Sequence, residues 1–267
     1  MTSVAIACCS GPVFQVNNLM LGMAQLAPAG LSEQWLLRYC GDEHWRMVAT
    51  ALGQNDVIFR AADGRPVYAA FCTTSLKFHP AGRALLGQEV RIASALHAVS
   101  DTRTGSCHMI TSQGGILAEL RMISTFVSHD NSGSNKRIVR NSVLGQMHLP
   151  AADAALARLD CQARAMSRKM RLVHPADSTP VYAERPIPSL DFNAVGLLYF
   201  PTFSRLAETA EHARPSQPAP LLQRDVVYLG NLDQGDTVQM FGQGKRWFMA
   251  RQDGALIAAG FTRRGAR

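Results

Sequence analysis

The chain has 267 residues, 47% hydrophobic and 18% charged, the make-up of a folded globular protein with one large core or two modest ones. Its formal charge of +7 suits an anionic partner: a nucleic acid, a phosphate-bearing cofactor such as coenzyme A, or an acidic carrier protein. No RNA- or DNA-binding signature accompanies the dispersed basic residues, and no run approaches the roughly 18 apolar residues of a membrane span, so neither nucleic acid nor membrane is the expected partner.

Met1 to Phe14 lacks a basic leader ahead of its short apolar run, which argues against a secretory signal; it reads as a buried or docking strand. The six cysteines (Cys8, Cys9, Cys40, Cys72, Cys107 and Cys161) include no C-x-x-C pair, so neither a zinc site nor a disulfide framework is expected. Scattered on apolar segments, they read as small core residues in a reducing cytoplasm.

A helix is predicted from Gly30 onward, with Ser32 as N-cap and Trp35, Leu36, Tyr39, Val48 and Leu52 on one stripe. Gly41 interrupts it and marks a bend or a close contact. Five strands are predicted next: Val57 to Ala61, Val67 to Phe78, Glu89 to Ser100, Gly105 to Gln113 and Gly115 to His129. The Asp63-Gly64 pair predicts a tight hairpin between the first two. The polar stretch Ser128 to Arg137 is a connector, and the chain divides near Val143 to Pro150, giving units 1–145 and 146–267. Basic clusters flank the division, at Lys136, Arg137 and Arg140 and from Arg164 to Arg171.

The second unit repeats the plan. A helix is expected around Thr202 to Ala213, with Pro201 in its first turn, then strands Arg224 to Leu229, Asp236 to Gly242, Lys245 to Arg251 and Ala255 to Thr262. Leu86 to Ile92 aligns with Leu232 to Gln239, and Gln113 to Glu119 with Gln252 to Ala258. One helix followed by four or five antiparallel strands, twice, is an α+β plan in which each sheet wraps its own helix.

The segment Asp191-Phe192-Asn193-Ala194-Val195-Gly196-Leu197-Leu198-Tyr199-Phe200 resembles the helix-leading motif of hot-dog thioesterases and their relatives. Leu21 to Trp45 and Gly64 to Cys72 are similar to the corresponding blocks of a small double hot-dog family that includes the bifunctional acyltransferase/decarboxylase of the leinamycin pathway. The resemblance implies a tandem (double) hot-dog fold. It also implies an activity that decarboxylates methylmalonyl-CoA and delivers propionyl to the phosphopantetheine thiol of an acyl carrier protein. The coenzyme A thioester is then a substrate, and no permanently bound cofactor is expected. A tyrosine holds the central role in that family, and Tyr68 matches it by motif position.

Decarboxylating a malonyl-type thioester leaves an enolate, so the site needs donors to the thioester oxygen and a poorly solvated place for the departing carboxylate. Backbone N–H groups at the helix N-termini are candidates, at Gly30 and Leu31 in the first unit and at Gly196 and Leu197 in the second; close helix–sheet packing explains those glycines equally well. Asn193 offers a neutral donor to the same oxygen, or simply shapes its loop. Asp191 is the water-activating base expected of a hydrolase, and an Asp191 pointing into the pocket favours thioester hydrolysis. Tyr68 acts either as a nucleophile or as a hydrogen-bond donor, or is an aromatic on a strand. The eight histidines show no metal-ligand spacing, and His44 reads as a helix-face residue. Three functions stay open: carrier-loading acyltransferase/decarboxylase, thioesterase, and non-catalytic acyl-binding protein, with homodimerisation possible for each. One pocket is expected at the junction of the units, combining Tyr68 with the Asn193 loop.

Overall fold

The structure is a computed structural model that describes residues 13–79, 84–173, 175, 179–213 and 218–266. Most of the predicted N-terminal strand, with Cys8 and Cys9, lies outside these residues.

In chain order the first unit comprises strand β1 (Phe14–Met20), the two-residue strands β2 (Leu26–Ala27) and β3 (Gly30–Leu31), helix α1 (Glu33–Ala51) and β4 (Phe59–Arg60). The long strands β5 (Pro66–Phe78), β6 (Glu89–Ser100), β7 (Arg103–Ser112) and β8 (Gly115–His129) follow, then β9 (Ile138–Arg140). Helix α2 (Ala154–Met170) leads into the second unit: β10 (Tyr182–Glu184), the single turn α3 (Pro188–Asp191), helix α4 (Phe200–His212), and β11 (Leu221–Tyr228), β12 (Val238–Gln243), β13 (Arg246–Arg251) and β14 (Leu256–Arg264).

Local chemistry explains these boundaries. Ser32 caps α1 by accepting the Trp35 N–H at 3.3 Å. Pro201 stands in the first turn of α4, where a missing N–H costs nothing. The Asp63-Gly64 turn closes the β4–β5 hairpin, pairing Phe59 with Val67. The two aligned Gln-initiated segments form corresponding hairpin turns, β7 to β8 and β13 to β14.

All long strands join one twelve-stranded antiparallel sheet in the order β1-β6-β7-β8-β5-β11-β14-β13-β12-β10, with β4 and β9 added on β5 and β8. The seam between the units is β5 against β11, with Thr73 opposite Val227 through Lys77 opposite Gln223. Each half wraps its own helix. Leu36, Leu37 and Cys40 of α1 pack on Ile92, Ile110, Leu120 and Met122, and Phe203, Leu206 and Ala207 of α4 pack on Val226, Met240, Met249 and Ile257. This is the double hot-dog arrangement.

Of the two expectations for Gly41 the close contact is the one met, and one helix was not predicted. Gly41 does not bend α1, which runs unbroken; it admits the Phe200 ring, whose carbons lie 2.8 Å from where a Cβ would sit. Helix α2, not predicted, lies on the opposite sheet face from α1. Met122 belongs to the α1 core, whereas its neighbour Ile123 packs on Leu156 and Leu159 of α2. Of the described cysteines only Cys40 is a fully buried core residue, and Cys161 is exposed on α2. No described helix is long and apolar enough to cross a membrane.

Candidate functional site

Pairing with β11 begins at Thr73, so β5 from Tyr68 to Cys72, between its β4 pairs at Pro66 and Val67 and the seam, runs on as an edge without a β11 partner. Facing that edge are the loop from Phe192 to Tyr199 and the end of β11. Between them lies a cavity of about 700 Å³, bounded by both units. Tyr68, Cys72 and Arg140 line one side, and Asn193, Leu197 and Phe200 the other. The junction pocket combining Tyr68 with the Asn193 loop is therefore present.

Tyr68 is half-buried, its ring set edge-on against His129 with centroids 5.8 Å apart. His129 donates from Nε2 to Asn135 Oδ1 at 2.9 Å, and Asn135 Nδ2 donates to the carbonyls of Gly196 (2.6 Å) and Leu232 (3.0 Å). A polar chain thus runs from behind Tyr68 to the loop opposite it. The sequence reading placed Asn135 in a connector; nothing in its flanking residues signals a contact with Gly196.

Asn193 shapes its own loop. Its Oδ1 accepts the N–H groups of Val195 (3.2 Å) and Leu197 (3.0 Å), and its carbonyl accepts the Gly196 N–H (2.9 Å). Gly196, at φ +80°, supplies the left-handed turn this requires. The Gly196 and Leu197 amides, expected as donors to a bound thioester, are therefore already engaged inside the loop. The Asn193 Nδ2 group and the first backbone N–H of α4, at Phe200, have no protein acceptor among the described residues. Both residues line the cavity, and Phe200 was not foreseen.

Gly30 and Leu31 lie elsewhere. They form a two-residue strand against Leu26 and Ala27, and Leu31 belongs to the α1 core rather than the cavity wall. The α1 N-terminus, counterpart of the α4 N-terminus, is closed by charge: Glu33 pairs at 2.6 Å with the fully buried Arg224.

Asp191 is buried and turned away from the cavity. Its carboxylate accepts the Ile187 N–H at 2.8 Å and Arg205 Nε at 3.0 Å. Asp42, at the rim, is the carboxylate that lines the cavity; partial burial moves its pKa upward, with Arg46 opposing and Glu43 adding to the shift. Burial, and then the Asp42 charge, push the nearby Tyr199 phenol up to about 12. Burial likewise raises the Cys72 thiol. Among the cavity's cations, Lys136 is held by Asp236 at 2.9 Å, whereas Arg140 has no carboxylate partner among the described residues. His44 lies on the α1 face turned to the sheet, buried and hydrogen-bonded on both ring nitrogens, to Ser106 and Ser124 at 2.8 Å each.

No family model and no curated protein matches the sequence. Solved structures do match the fold. An acyl-ACP thioesterase from Bacteroides thetaiotaomicron superposes with a TM-score of 0.66 at 8% identity, over 94% of this chain and 97% of that one. A 12:0-ACP thioesterase from Umbellularia californica superposes with a TM-score of 0.61 at 12% identity, over 94% and 96%. At these identities the likeness establishes the double hot-dog fold over essentially the whole chain.

Proposed function

We propose that this protein is an acyltransferase/decarboxylase that takes a carboxylated acyl thioester of the methylmalonyl-CoA type and loads the resulting acyl group onto an acyl carrier protein. The observation that carries this reading is the content of the junction cavity. Tyr68, the Asn193 amide and Arg140 share it, while Asp191, the residue suited to activating water, is committed to Arg205.

In this reading the thioester carbonyl sits at the α4 N-terminus, accepting from the Phe200 N–H and Asn193 Nδ2. The bond between the α-carbon and its carboxylate breaks, carbon dioxide leaves, and the electron pair passes into the enolate whose oxygen those donors stabilise. Protonation at the α-carbon gives the propionyl thioester. Attack by the carrier thiol then forms a new thioester and releases coenzyme A. Arg140 holds the substrate's negative charge before decarboxylation, and Tyr68 donates a hydrogen bond to the carboxylate or thioester.

Thioester hydrolysis is the second reading. It is supported by the thioesterases that share this fold and by Asp42, a carboxylate on the cavity rim.

Incubation with malonyl-, methylmalonyl- or succinyl-CoA and a holo carrier protein, followed by mass analysis of the carrier, separates the two. Transfer predicts a propionyl-loaded carrier from methylmalonyl-CoA, reduced about a hundredfold in Tyr68→Phe. Free acid with no loaded carrier establishes hydrolysis instead, and an unimpaired Tyr68→Phe removes that residue's role.

A further inference from the structure

Helix α2 belongs to neither hot-dog core. It crosses the outer face of the sheet at the seam, packing on β5, β11, β14 and β6 through Leu156, Leu159, Ala163 and Met170. Its outward arc carries Arg158, Arg164, Arg168 and Lys169, continued by Arg171, with the small Cys161 and Ala165 between them. Asp160, the one carboxylate within the helix, is buried and shared by Arg103 and Arg164. Arg158, Arg168, Lys169 and Arg171 have no carboxylate partner among the described residues.

A favourable interaction with the helix dipole explains cations in the last turn, such as Arg168 and Lys169. It does not explain Arg158, in the first half of the helix, nor an exposed arc without a single carboxylate between residues 154 and 171. Like charges this close repel one another, and an anionic partner relieves that cost.

The basic arc also adjoins the cavity. Arg140, on the cavity wall, and Arg164, on α2, both act electrostatically on the Cys72 thiol inside it. Through Asp160, α2 is tied to Arg103, whose strand partner Thr125 is another cavity-wall residue.

Resting on the reading of an enzyme that loads an acyl carrier protein, we infer that the exposed face of α2 is the docking surface for that acidic acyl carrier protein. Arg140 then marks where the phosphopantetheine arm turns in toward Tyr68. At 17 residues the helix spans about 25 Å, enough for a side-by-side contact with a helix of a small acidic domain. A nucleic acid fits less well, because the arc interleaves its cations with small side chains and offers no aromatic platform for bases.

The test is the triple variant Arg158→Glu, Arg168→Glu, Lys169→Glu, compared with an Arg91→Glu, Arg185→Glu control that changes exposed charges away from α2. Binding of a strongly acidic holo acyl carrier protein from fatty-acid synthesis is measured by fluorescence anisotropy across a salt series, and turnover of methylmalonyl-CoA is measured in parallel as carbon dioxide release without carrier and as propionyl loading of the carrier. Expected are a rise of at least about tenfold in Kd, a flatter salt dependence and slower carrier loading for the triple variant, with carrier-free carbon dioxide release unchanged and the control like wild type. Carrier binding indifferent to the triple change, no carrier binding by the wild type, or DNA or RNA oligomers bound as tightly as the carrier overturns the proposal. Carrier binding with neither carbon dioxide release nor carrier loading overturns the catalytic reading and leaves the docking surface standing.

Discussion

Asn135 does its work between two walls of the cavity. It receives a proton donor from His129, behind Tyr68, and supplies both hydrogens of its amide to carbonyls of the second unit. Replacing it with alanine leaves the Gly196 and Leu232 carbonyls short of a donor. Asn135→Ala is expected to lose about 1–3 kcal/mol of stability by urea unfolding. Its kcat is expected to fall more than the binding of substrate weakens, because the Asn193 loop and Tyr68 lose their common support; equal losses in both would show a purely structural role. Gly41 allows a cleaner test of packing. In Gly41→Ala the new methyl meets the Phe200 ring and displaces the residue whose N–H opens α4, so a lower Tm is expected together with slower turnover.

At the scale of the element, α1 is fixed to the sheet by more than apolar contact. His44 bonds Ser106 of β7 and Ser124 of β8, Ser106 continues to His108, and His108 reaches Ser94 of β6. Burial holds both imidazoles neutral, lowering each from 6.5 to about 3, with the His44 ring adding to the effect on His108. The unfolded chain therefore binds protons that the folded one refuses. The stability this network contributes is complete above pH 6.5 and is lost as pH falls toward 3, at a slope approaching about 1.4 kcal/mol per pH unit for each ring. Urea midpoints should decline already between pH 6.5 and about 5, before most carboxylates titrate. His108→Gln should flatten that decline, and an unchanged slope would discard this account.

The same scale shows what the sequence makes visible. The long strands alternate in residue type or run apolar, and β6 and β8 have the predicted ends because glycines and polar turn residues bracket them. Helix α2 was not visible as a helix. Its buried stripe is thin, relying on Leu156, Leu159 and alanines, and a dense run of arginines reads first as charge. Asp191 could be picked out by its position in a motif, but its direction is set by Arg205, fourteen residues later, through a side-chain contact that no local pattern encodes. Tyr68 and Asn193 line one cavity, as expected, because Tyr68 lies on the part of β5 that runs past the seam and the loop carrying Asn193 leads into α4 beside it.

At the scale of the molecule, the halves are joined by the β5–β11 seam and by a buried ionic cluster. Arg224 of β11 contacts Glu33, the first residue of α1, and Glu208 of α4 at 2.6 Å each, and Glu208 also meets Arg264. Burial raises the Glu33 carboxyl despite the Arg224 guanidinium, while the two arginines hold Glu208 below its ordinary range against its own burial. Arg224→Ala strands these carboxylates. Its cost is expected to be about 3–5 kcal/mol in equilibrium unfolding, whereas Arg224→Met, which also fills the space, should cost less at low pH, where the carboxyls are neutral.

Under the proposed function, that cluster also limits how many acyl chains one polypeptide accepts. Two hot-dog units related by strict symmetry would present two equal mouths, since each residue of one copy recurs in the other. Here Glu33 and Arg224 occupy the α1 N-terminus, whereas among the described residues the α4 N-terminus borders the cavity of about 700 Å³. Titration with a non-cleavable acyl-CoA analogue should therefore saturate at one equivalent per chain, with a single enthalpy and no cooperativity, as a monovalent receptor made from a bivalent plan.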